Sequence, residues 1–229
     1  MERLFKALGS MTHAPVQVTQ EALRILPDGL VLGVGFFSLL TLSFSYGIFF
    51  LSLLEGLMAF HGLRALNSYL TFASVFPTKA SLSNRCRTGF STITMDSLSM
   101  FGSGLRSAFP SAPIFILSLA ASYMISSMSD LSKDLEVMGS EYSSRFYVAA
   151  IFLPLVILAV ALYRLYYDCD YFGNIVVSAI IGAILGLLFV EQNRRIFGDS
   201  SLNLVGIPLL RNRTVAGEKL YICPTQSKA

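Results

Sequence analysis

The sequence predicts an all-α, multi-pass transmembrane helical bundle, with about four spanning helices plus interfacial helices. Apolar residues make up 54% of the 229-residue chain. Charged residues make up only 14%, against about 25% in soluble domains. Apolar runs at 29–54, 113–128, 146–163 and 175–190 approach the roughly 20 residues that a spanning helix needs. The last three are short, and their flanking aromatic and polar residues complete them.

Residues 1–28 open with MERLFKAL, a basic amphipathic start without the apolar core or small-residue cleavage site of a signal peptide. The first span follows and is expected to remain as an anchor. Gly29, Gly33 and Gly35 stand near its start, where small residues let helices approach closely. Apolar character runs on to Phe60, longer than a bilayer is thick, so Glu55 and Gly56 are the expected place for the helix to leave or bend. In 61–111, LNSYLTFASVF suits a buried or interfacial helix that Pro77 ends. A polar loop with Lys79, Arg85 and Arg87 follows, then a Ser-, Gly- and Met-rich interfacial segment.

The second span starts at Pro113, and proline in a first turn costs a helix little because that N–H has no partner there. The mixed charges of 129–145 suggest a solvated connection. Pro154 is expected to kink the third span. A hairpin then joins the third and fourth spans and gathers Arg164, Asp168, Asp170 and Asn174 at a membrane surface. Ionisable groups there mark function by default, although a snorkelling Arg164 and hydrated aspartates would also satisfy the pattern. In the fourth span Ser178, Gly182 and Gly186 recur every four residues, a small-residue seam for helix packing. The tail 192–229 carries six Lys/Arg against two acids, which places it on the cytoplasm-equivalent side. Counting back through four spans puts the N-terminus on that side too, and the hairpin, Pro110 and the 79–87 loop on the other. The organisation is therefore a polar segment 1–28, a transmembrane domain 29–191 and a basic tail 192–229.

A net charge of +3, without a basic stripe interleaved with aromatics, argues against nucleic acid. The three cysteines, Cys86, Cys169 and Cys223, form neither a CxxC pair nor an even set, so neither a metal site nor a disulfide is expected. Only two histidines are present, His13 and His61.

Three stretches on the hairpin side resemble the signature of the type-2 phosphatidic acid phosphatase and vanadium haloperoxidase superfamily. That signature reads KxxxxxxRP, PSGH and SRxxxxxHxxxD. Here Lys79 precedes Arg85 and Arg87, Pro110-Ser111-Ala112-Pro113 opens a span, and Arg164 is followed by Asp170 and Asn174. The resemblance covers about 79–191. It implies a phosphate- or lipid-binding set of Arg164, Ser111, Lys79, Arg85 and Arg87. It also implies a degenerate catalytic set. Asp170 stands in place of the nucleophilic histidine, Asn174 in place of its orienting carboxylate, and Pro113 in place of the general acid. Pro113 has no proton to transfer and Asn174 no charge to stabilise an imidazolium.

The resemblance thus implies a pseudoenzyme without metal or cofactor. The expected role is a structural or scaffold subunit of a larger membrane assembly, in contact with membrane lipids and other membrane-protein subunits. An anionic lipid is a candidate occupant of the old site. Two alternatives stay open: an active lipid phosphatase in which Asp170 forms an acyl phosphate, and a channel or transporter component.

Overall fold

A computed structural model describes residues 2–69, 86, 109–130 and 140–204. Among these the chain is all helical: α1 (Glu2–Thr41), α2 (Phe44–Tyr69), α3 (Ala112–Asp130), α4 (Ser140–Tyr166), α5 (Phe172–Phe197) and a 3-10 turn at Asp199–Leu202. Five stretches of the described residues are long and apolar enough to cross a membrane: Val18–Thr41, Phe44–Asn67, Ala112–Asp130, Phe146–Tyr166 and Phe172–Phe197. The protein is an integral membrane helical bundle.

Among the described residues the expected four spans become five, because the first apolar run is two helices. The break falls at Leu42–Ser43, not at Glu55 and Gly56. Leu42 takes the left-handed conformation at φ 47°, and the Gly47 N–H bonds to the Ser43 carbonyl at 3.0 Å to start α2. Phe37 and Tyr46 close the turn edge-to-face, with ring centroids 4.9 Å apart. Glu55 and Gly56 lie within α2. Gly56 meets Leu119, whose Cδ1 lies 2.5 Å from where a Cβ would stand. Of the three early glycines, Gly35 serves close approach, receiving the Phe50 ring.

Successive helices alternate in direction. At one end Gln20 of α1 donates to the Tyr167 hydroxyl in the α4–α5 turn. At the other, Phe44 packs on Phe197, the Tyr46 hydroxyl donates to the Leu204 carbonyl at 2.7 Å, and Arg194 pairs with Asp130. The start of the first span and the end of the last therefore lie at opposite ends of the bundle.

Helix α3 is the central element, buried along most of its length from Pro113 to Met128. Phe49, Leu53, Leu57 and Phe60 of α2 pack on its Phe115, Ile116, Leu119 and Tyr123. A second cluster joins its Ile114 and Leu117 to Val160 of α4 and Ile175 of α5. The contact between α3 and α5 is the most extensive in the bundle. Asn174, Ser178, Gly182, Gly186 and Val190, spaced by four, form the buried stripe of α5. A Cβ on Gly182 would strike the Phe115 carbonyl, and one on Gly186 would stand 2.5 Å from the Leu119 carbonyl. Lipid offers no hydrophobic drive for this contact, so close backbone approach supplies it through dispersion. Helix α4, which includes Pro154 without ending there, presents almost its whole span outward.

Candidate functional site

The α4–α5 turn is built by a recognisable backbone device. Asp168 adopts φ 55°, its N–H bonds to the Leu165 carbonyl at 3.1 Å, and the Cys169 N–H reaches the Arg164 carbonyl at 2.8 Å. These are the paired bonds of a Schellman motif, with aspartate in the left-handed position that glycine usually fills. The turn reverses the chain within Tyr167–Tyr171 and sends Cys169 and Asp170 inward, both 3% exposed, while Asp168 faces out.

Inside, the Asp170 carboxylate gathers its partners on one oxygen. Arg164 Nε pairs with Oδ2, and Ser111 Oγ donates to the same atom at 2.6 Å. Ser111 also opens α3, since the Phe115 N–H bonds to its carbonyl at 2.9 Å. Its own N–H donates to Ser178 Oγ on α5 at 2.7 Å. The cation thus lies in the last turn of α4 and the carboxylate just before the start of α5, each beside the helix-dipole end that favours its charge. Asn174 is 1% exposed, and its Nδ2 has no hydrogen-bond partner among the described residues.

The structure therefore brings Ser111, Arg164, Asp170 and Ser178 into one bonded cluster, with Asn174 a turn before Ser178 on the same buried stripe. Pro113 is buried in the first turn of α3. Lys79, Arg87 and Arg85 lie outside the described residues. Arg164 and Ser111, the two described members of the phosphate-binding set, are both engaged by Asp170.

The cysteine expectation is overturned. Cys86 and Cys169 form a disulfide, with Cα atoms 5.2 Å apart across 83 residues of sequence. An odd cysteine count does not forbid one pair, and the fold brings the two within bridging range. Sequence reasoning also missed polar groups on the first two helices at this end. Arg24 pairs with Glu21 at 2.7 Å, and Asp28, Arg64 and Asn67 are buried. The signal was present as charges spaced i, i+3 and i, i+4 beside apolar runs. Among the described residues, no three His, Cys, Asp or Glu side chains group as metal ligands.

A second polar cluster ties the opposite end together. Asn193 Nδ2 donates to Ser52 Oγ at 2.7 Å and to the Tyr123 hydroxyl at 2.9 Å. Ser52 in turn donates to the Ile48 carbonyl at 3.1 Å. Three helices are pinned there by neutral groups.

Compared with protein-family models, with curated proteins and with solved structures, the chain finds no match.

Proposed function

We propose that the chain is a non-catalytic structural subunit of a membrane assembly, and that its hairpin-end polar site is an internal latch. The observation that carries this is the closure of Arg164 and Ser111 onto Asp170. An arginine fork suits a phosphate well, but this one is held by a carboxylate that would also repel an incoming phosphate. A carboxylate already bonded to a guanidinium and a hydroxyl is a weak nucleophile. The superfamily resemblance fits the same reading as an ancestral shell whose chemistry is lost. The outward face of α4, with Tyr147, Ile151, Phe152 and Leu155 exposed, is where lipids and neighbouring subunits would pack.

The test is phosphate release from phosphatidic acid and from a soluble aryl phosphate by the purified, reconstituted protein. No release above a protein-free control is expected. Release abolished by Asp170→Ala would sink the proposal in favour of an active phosphatase. An anionic lipid co-purifying with the wild type and lost in Arg164→Ala would show that Asp170 yields Arg164 to a ligand.

For sidedness, we propose that the hairpin end faces an oxidising compartment, the setting in which a disulfide such as Cys86–Cys169 persists. The basic tail belongs to the opposite, cytoplasm-equivalent side. The start of the first span, where Gln20 meets Tyr167, then shares the hairpin's side. An impermeant thiol reagent is expected to label Cys223 from the cytoplasm-equivalent side alone, and labelling from the other side would reverse the assignment.

A further inference from the structure

The turn at 167–171 is fastened in three ways: by its own backbone bonds, by Asp170 on Arg164 and Ser111, and by the Cys86–Cys169 bond. The first is local and survives any movement of the turn as a unit. The second depends on exact placement. A buried ion pair offsets its desolvation only while its geometry is good, and a small displacement favours opening to water. The third sets that placement, because Cys169 is the residue immediately before Asp170 and is tied to a segment remote in sequence. Breaking this cross-link restores the chain entropy of the loop it closes.

Cys169 does not need Cys86 to stay satisfied. Its sulfur lies 3.8 Å from the Tyr167 carbonyl oxygen, within reach for a thiol donor inside the same turn. The Cys86 sulfur lies 3.7 Å from that oxygen, so both approach one acceptor, and only Cys169 keeps it if the turn moves as a unit.

We propose that the Cys86–Cys169 disulfide is a redox control on the Arg164–Asp170 pair. Oxidised, it keeps the turn seated and Arg164 closed; reduced, the turn lifts and the guanidinium opens to the membrane surface. The step is thiol–disulfide exchange with a dithiol reductant. The dithiol gives up two electrons and two protons and becomes a disulfide, while the sulfur–sulfur bond of the protein becomes two thiols. This rests on the latch reading of the same site, and the test separates the two.

The full-length protein in detergent is treated with phenylglyoxal, before and after reduction by dithiothreitol, with helicity followed by circular dichroism. Peptide mass mapping reads modification of Arg164 against Arg195, whose side chain is 76% exposed. In the oxidised protein Arg164 is expected to be protected. Reduction is expected to raise its rate roughly tenfold, the size of a modest local opening, with Arg195 and helicity unchanged. Cys86→Ser is expected to match the reduced protein; if it fails to fold, chemical reduction of the folded wild type decides alone. Protection of Arg164 persisting after complete reduction overturns the redox control. Unlinked Cys86 and Cys169 peptides in protein never exposed to reductant overturn it as well. Reactive Arg164 in protein with the bond intact overturns the latch itself.

Discussion

The two ends of α5 solve the same problem with different chemistry. At the hairpin end a cation and a carboxylate are buried together, and an amide nitrogen on Asn174 goes unmet among the described residues. At the other end Asn193 joins three helices through neutral groups, and the charges of that end stay at the rim. Arg194 reaches Asp130, Glu191 and Asp199 there with about a third of its side chain exposed. A neutral network suffices to set the register of helices. Charge buried at the hairpin end therefore asks for another explanation, and a latch that opens is one.

Asp170→Ala is the harshest way to break the comparison. It strands a buried guanidinium, and a loss of about 3–5 kcal/mol is expected in reversible detergent unfolding. Replacing Arg164 and Asp170 together by apolar residues is expected to recover most of that loss. If the double replacement is as unstable as Asp170→Ala, the pair is not an isolated unit. Gly186→Ala probes the seam that connects the ends. Its Cβ would press on the Leu119 carbonyl and Ser122 Oγ, so a cost of about 1–3 kcal/mol is expected.

Smaller effects sharpen the contrast. Asn193→Ala removes the shared donor of Ser52 and Tyr123 and should cost about 1 kcal/mol. At the hairpin end, Asn174→Leu should be neutral or slightly stabilising, because it removes an amide nitrogen that has no partner among the described residues. A clear loss there would show that Asn174 has a partner in the membrane. Arg194→Ala, at a half-open ion pair, should change stability by no more than about 1 kcal/mol, and less in high salt.

Much of this was legible in the residues. The hairpin at 163–175 and the four-residue spacing of Ser178, Gly182 and Gly186 were readable because lipid leaves helices few ways to pack. The same hairpin's internal pairing was not, since Asp168 and Asp170 look equivalent in sequence. A Schellman turn separates them, sending one out and the other in. The break at Leu42–Ser43 was hidden because neither glycine nor proline marks it, whereas Gly56 looked like a breaker and is a packing site. Lys79, Arg85 and Arg87 lie outside the described residues, so their relation to Arg164 rests on the sequence alone.

The Leu42–Ser43 turn also bears on how the protein enters its membrane. A two-residue connection between spanning helices has no polar loop to translocate, so α1 and α2 can be inserted as a single hairpin. Between Arg24 and Arg64 the chain has no lysine or arginine, and the tip of that hairpin therefore carries no basic orientation signal. The basic residues at its open end favour the cytoplasm-equivalent side for that end, against the sidedness proposed here, so its direction is left to the helices and the basic tail made afterwards. Adding lysines at the tip would supply the missing signal and set the direction of insertion from there.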